Sequence, residues 1–176
     1  MRQPRVRPAT LADAAAIAEV HVEAWRETYR GLVPDSVLAG LSVERRVRAW
    51  TDMLASRVAG DQQAPAIFVV EEEGRVVGFG AAGPSRDEGL RCDGEVGSIY
   101  LLDGYKRHGI GRRLFQRLLI SLVQRDCRSA GLWVLDTNAA ARRFYEAMGG
   151  RAGPTKIDAR PDVILHEIAY IWDEIA

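Results

Sequence analysis

Residues 95–136 constrain the fold more than any other part of the chain. "EVGSIYLL" (95–102) is β-rich, "YKRHGIGRRLFQRLL" (105–119) is a basic bend with two glycines that runs into a helix, and "GLWVLD" (131–136) is a short, bounded apolar run. In the helical part, 111–127, Leu114, Phe115, Leu118, Leu119 and Leu122 fall on one stripe. A strand, a helix and a second strand joined in this way return to one sheet by a right-handed crossover, and the two strands then pair in parallel.

The flanking sequence adds antiparallel material. "APAIFVVEEEGRVVGFGAAG" is two β-rich runs meeting at Glu73-Gly74, a hairpin signal. "RVRPAT" reads as a short opening strand. Thr10, with Asp13 three residues on, reads as the capped start of a helix whose apolar face is Leu11, Ala14, Ala15, Ala18 and Val22. That helix breaks at Gly31 and Pro34. Ser42 caps a second stretch, 43–55, with Val47, Trp50 and Leu54 on one side. "PSRDEGLRCDG" is a polar loop, and 138–148 is a helix stopped by Gly149-Gly150. "DVILHEIAYIWDEI" alternates as a long closing strand. The order β-α-α-β-β-β-α-β-α-β-β predicts an α/β fold of the α+β kind: a mixed, mostly antiparallel central sheet of about seven strands flanked by helices. Residues 1–176 are expected to form a single domain.

Composition excludes several classes. Lys+Arg and Asp+Glu balance at 24 each, so no global field draws the chain to nucleic acid or acidic lipid. The Arg-rich stretch 111–128 also lacks interleaved aromatics. No apolar run reaches membrane-spanning length, and "MRQPRVRPATLADAAAI" carries no apolar signal region. Cys92 and Cys127 lie far apart and read as buried free thiols of a reducing compartment. His21, His108 and His166 are scattered and make no metal set. A soluble cytoplasmic protein without a metal is expected.

At the bend, the missing side chains of Gly109 and Gly111 let successive N–H groups converge on one oxygen-rich ligand. The helix start adds unsatisfied N–H groups and the positive end of its dipole. Lys106, Arg107, Arg112 and Arg113 are available to neutralise further charge. The combination suits a pyrophosphate or phosphate ester; a glycine turn before an ordinary helix with a solvated basic face is the alternative. Leu114 stands where a G-x-G-x-x-G fingerprint needs its third glycine, and G-x-x-x-x-G-K-[ST] is absent.

The same stretch resembles motif A of the GCN5-related N-acetyltransferase (GNAT) family, Q/R-x-x-G-x-G/A after the central strand, with Lys106 in place of Gln or Arg. "NAAARRFYEAMGG" resembles the family's N-x-x-A-x-x-F-Y-x-x-x-G motif through Asn138, Ala141, Phe144, Tyr145 and Gly149, with Gly150 replacing a common Phe. The resemblance extends over the chain in topology and is strongest over residues 95–150.

It implies acetyl-CoA as cosubstrate and direct acetyl transfer to a primary amine, on a small molecule or a peptide. The main chain of Ile99, Tyr100 and Leu101, at a splayed strand end, would bond the acetyl carbonyl and the pantetheine amide. The main chain through Arg107, His108, Gly109, Ile110, Gly111 and Arg112, with Lys106 beside it, would hold the pyrophosphate. Asn138, in any case a favoured N-cap, would touch the pantetheine arm. Tyr145 is the implied general acid for the departing thiolate, against a reading as a packed aromatic. Glu95 is the candidate base for an amine of pKa near ~10.4, against a reading as an exposed strand-end carboxylate. Trp133 occupies the place where some relatives carry that acid instead. Trp25 and Tyr29, at i and i+4, would line the acceptor side or simply anchor the first helix. Oligomeric state is left open; a homodimer is the state the family analogy offers. An acyl-CoA-binding sensor or regulatory module on the same fold, without turnover, is the reading from another class.

Overall fold

The computed structural model describes residues 3–176. The elements are β1 (Arg5–Pro8), α1 (Ala14–Tyr29), α2 (Asp35–Ala39), α3 (Val43–Val58), β2 (Ala66–Glu72), β3 (Arg75–Pro84), β4 (Gly94–Leu101), α4 (Ile110–Val123), β5 (Ala130–Leu135), α5 (Ala139–Ala147), β6 (Arg151–Arg160) and β7 (Val163–Trp172). All seven strands join one sheet in the order β1-β2-β3-β4-β5-β7-β6. Every neighbouring pair is antiparallel except β4 and β5, which the α4 crossover makes parallel. The predicted fold class therefore stands.

The β2–β3 hairpin turns at Glu73 and Gly74 with φ of 49° and 83°, the pair of positive values that a two-residue hairpin turn requires. On one face of the sheet, α4 buries Leu114, Phe115, Leu118 and Leu122 against Val70, Val77, Val96, Leu132 and Tyr170. Each such side chain contributes about 1.5–3 kcal/mol of burial, which makes α4 the main staple of that face. On the other face, α1 and α3 press Ile17, Ala18, Trp50 and Leu54 onto Ile67, Val69 and Phe79. The start of α1 is tied to the sheet edge by Asp13. Its carboxylate accepts from the Thr10 N–H at 2.7 Å and from both terminal nitrogens of Arg7 at 2.8 Å. The Arg7 guanidinium is the main reason that this carboxyl is held down to about 2.

Several local expectations change. Leu11 and Ala15 are exposed, and the buried face of α1 runs instead through Ala14, Ile17, Ala18, His21 and Ala24. The cause is the short 3-10 turn over Leu11–Asp13, which rotates the helix start. Helix α2 has only five residues, too few to show a period. The polar loop after β3 carries a buried Leu90, which packs on Ala169 and Ile171. Helix α4 ends at Val123 rather than Cys127, because the chain turns through Asp126 at φ 61°. Cys92 and Cys127 are free, and burial raises both thiols. Among the described residues, no helix is long and apolar enough to cross a membrane.

One feature of the sheet positions the site. Strands β4 and β5 pair only through Gly94↔Ala130 and Glu95↔Gly131, then diverge. Beside the divergence, β4 is bulged against β3: Val96 faces Ala82 and Ser98 faces Ala81, leaving Gly97 extra. The α4 N-terminus comes back to the far end of β4. A Cβ at Gly111 would lie 3.5 Å from Leu101 Cδ1 and 3.6 Å from Phe144 Cε2 of α5.

Candidate active site

The free edge of β4 is the first part of the site. The Leu102 N–H donates to the Val77 carbonyl at 3.1 Å, and Tyr100 sits opposite Phe79. In an antiparallel pair, alternate residues turn their N–H and C=O toward the partner strand. Tyr100 therefore bonds toward β3, while Ile99 and Leu101 aim their main chain into the opening between β4 and β5. This corrects the expectation that all three main-chain groups face the opening. Tyr100 offers its side chain on the other face, where its hydroxyl lies 3.2 Å from that of Tyr29 and its ring stacks on His21 at 5.4 Å.

The bend before α4 is the second part. Among the described residues, no acceptor takes the N–H groups of residues 107–112, apart from any ligand. Gly109 holds the N-cap position at φ 76°, and Arg107 sits at φ 63°, a left-handed conformation that costs a non-glycine residue about 1–2 kcal/mol. Lys106 is not a free cation, as the sequence suggested. Its Nζ is bonded to Asp103 Oδ1 at 2.6 Å and to Thr28 Oγ1 at 3.3 Å, so it braces the loop. Arg107, Arg112 and Arg113 enter no ion pair among the described residues. His108 is exposed. A Cβ at Gly111 would make only ordinary contacts with the protein, so packing alone does not require the glycine.

Helix α5 supplies the third part. Asn138 Oδ1 caps it by accepting from the Ala141 N–H at 3.2 Å, which leaves the side-chain amide nitrogen without a partner among the described residues. Tyr145 is boxed by Phe115, Phe144, Tyr170 and Trp172, with ring centroids 5.4 to 6.2 Å away. Tyr170 bonds its hydroxyl to Glu146 at 2.6 Å, while the Tyr145 hydroxyl bonds no described residue and is not sealed off from solvent. Burial, with a smaller effect from Tyr100, holds the Tyr145 phenol well above the ordinary tyrosine range. Phe144 serves as packing.

On the α1/α3 face lies a cavity of about 160 Å³, with His21, Arg46, Trp50, Arg86, Glu95 and Ser98 on its wall. Glu95 Oε2 accepts from the Arg86 N–H at 3.2 Å. Trp25 and Tyr29 do not reach this wall. They pack among Val33, Leu38, Leu135 and Leu165, and meet the site through the Tyr29–Tyr100 hydroxyl pair and the Trp25 ring beside His21. His21 is the member of their helical stripe that does reach it, four residues before Trp25 and eight before Tyr29. Arg46 and His21 were not picked out from sequence, and neither was Glu167. Glu167 lies opposite Leu135 on the same face, with its carboxyl raised mainly by burial.

The model of the acetyltransferase (GNAT) family matches residues 20–150. The uncharacterized N-acetyltransferase YuaI of Bacillus subtilis (strain 168) is 35% identical over 172 residues, which cover 97% of this chain and 94% of that protein. PaiA N-acetyltransferase from Thermoplasma acidophilum, solved in complex with coenzyme A, has the same fold with a TM-score of 0.74 at 16% identity, over 94% of this chain and 98% of that one. The structure of yncA from Salmonella typhimurium with its cofactor acetyl-CoA gives a TM-score of 0.70 at 21% identity, over 99% and 95%.

Proposed function

Because the chain belongs to the acetyltransferase (GNAT) family, we propose that it moves an acetyl group from acetyl-CoA directly onto a primary amine, with the donor lying across the opening between β4 and β5. The unpaired main-chain donors carry this proposal. Ile99 and Leu101 aim into the opening, and the N–H groups of 107–112, at the helix start that follows β4, have no acceptor among the described residues. The first set suits the amides and carbonyls of an extended arm. The second, at a helix N-terminus with Arg107, Arg112 and Arg113 nearby, suits a pyrophosphate.

Bound there, acetyl-CoA supplies an activated thioester. Ile99 or Leu101 polarises its carbonyl through a fixed N–H, and orientation supplies much of the remaining rate. Tyr145 donates a hydrogen bond to the sulfur as it gains charge. Its phenol stays protonated at neutral pH, as a donor must. Complete transfer of that proton to a thiolate whose thiol has pKa near ~8.5 is uphill, so the hydrogen bond is the larger part of its role. Glu95 takes the amine proton. It lies four residues from Ile99, about 13 Å of extended strand, so it acts through water.

Thiol release from acetyl-CoA, followed over a panel of amines with purified protein, tests the proposal. Release is expected only when protein and a suitable amine are both present. Acetyl-CoA at ~100 times its dissociation constant should also stabilise the fold by about 2.7 kcal/mol. A larger thermal shift with NAD or ATP contradicts the donor. Stabilisation by acetyl-CoA without turnover of any amine points to the sensor.

A further inference from the structure

We infer that the acceptor is a small amino acid: an amine that also carries a carboxylate, bound with its carboxylate at Arg46 and His21. This rests on the transfer reading above and names the substrate class for the same site.

The first observation is His21. It is only 7% exposed, and the Trp50 Nε1–H donates to its Nδ1 at 3.1 Å. A ring that accepts at Nδ1 and is neutral carries its proton on Nε2. Burial, and then the Arg46 charge, hold the imidazole neutral by lowering its pKa to about 3. The Nε2–H has no acceptor among the described residues, and the ring forms part of the cavity wall. The Nε2–H is not sealed off, so it is reachable from the cavity and free to donate to an oxygen there.

The second observation is Arg46, one helical turn before Trp50 on α3. It is half-buried, and its guanidinium makes no ion pair or hydrogen bond among the described residues. Burial is the main cause that lowers its pKa, and Arg160 and Arg45 act in the same direction. A partly desolvated guanidinium among other cations is the residue type best suited to grip a carboxylate in two places. Arg86, whose Nη2 would be 3.9 Å from a Cβ at Gly97, adds a second cation at the mouth.

The third observation is the polarity of the cavity. Glu95 is the one carboxylate on its wall, and it sits on β4, the strand whose free edge takes the donor. The Arg46 cation and the neutral His21 donor on the helices face one anion on the sheet, so the wall offers both signs of charge that a zwitterion needs. A polyamine would set a second cation against Arg46. A peptide N-terminus brings no carboxylate of its own within so small a space.

The test compares free α- and ω-amino acids with the same compounds as carboxamides, and with spermidine, by thiol release from acetyl-CoA. The free acids should exceed their amides by about tenfold to a hundredfold in kcat/KM, as loss of a charge-assisted contact predicts. Arg46→Gln should erase that preference through KM and leave acetyl-CoA affinity unchanged, while Arg46→Lys should restore part of it. Amides or spermidine as the better substrates overturn the inference, as does an equal loss for acid and amide in Arg46→Gln. If no amine is turned over, the transfer reading fails. Calorimetry of the same acid and amide pairs on CoA-loaded wild-type and Arg46→Gln protein then still decides whether a carboxylate binds at Arg46.

Discussion

Gly111→Glu should abolish acetyl-CoA binding and leave the fold intact. The new Cβ meets Leu101 and Phe144 only at ordinary contact distance. A carboxylate in the first turn of α4 is favourable to the helix by about 0.3–1 kcal/mol through its dipole. The melting temperature should therefore hold or rise slightly. The same carboxylate stands beside the N–H groups of 107–112, and it repels a pyrophosphate. Charge-assisted hydrogen bonds are worth about 1.5–3 kcal/mol each, so the loss of two lowers affinity by at least about a hundredfold. Calorimetric titration of both proteins with acetyl-CoA reads the effect. Equal affinity at equal melting temperature would move the donor away from the bend.

Tyr145→Phe should lower turnover by about tenfold to a hundredfold while preserving stability and donor affinity. The change removes one oxygen from a ring held by Phe115, Phe144, Tyr170 and Trp172. Because no described residue bonds that hydroxyl, which is also not sealed off from solvent, its removal leaves no orphan among them. The deciding comparison is turnover at saturating donor and acceptor beside the melting temperature. Unchanged turnover would make Tyr145 a packing residue and leave the departing sulfur to water.

The crossover from β4 through α4 to β5 was legible because the glycines, the Leu/Phe stripe and the bounded strands all specify the same unit. What the sequence could not give is parity and long-range contact. Which main-chain groups of 99–101 face the opening depends on the register of β4 against β3, and no side chain records that. His21 looked scattered because its meaning comes from Trp50, 29 residues away, and from the cavity wall. The four-residue spacing His21, Trp25, Tyr29 is the sequence signal that puts all three on one stripe. Lys106 looked free because charge alone was counted; Asp103, three residues earlier, was the sign of a brace. Helix α2 and the turn ahead of α1 are too short to carry a period, so the face assigned to α1 was rotated.

Amide hydrogen exchange with and without acetyl-CoA tests most directly whether the opening between β4 and β5 is the donor site. The N–H groups of 107–112, with those of Ile99 and Leu101, have no acceptor among the described residues and should slow together when the donor binds. The Tyr100 N–H, already directed to β3, should not change. Protection that appears elsewhere, with the bend and the β4 edge exchanging as before, would contradict the site and the transfer built on it.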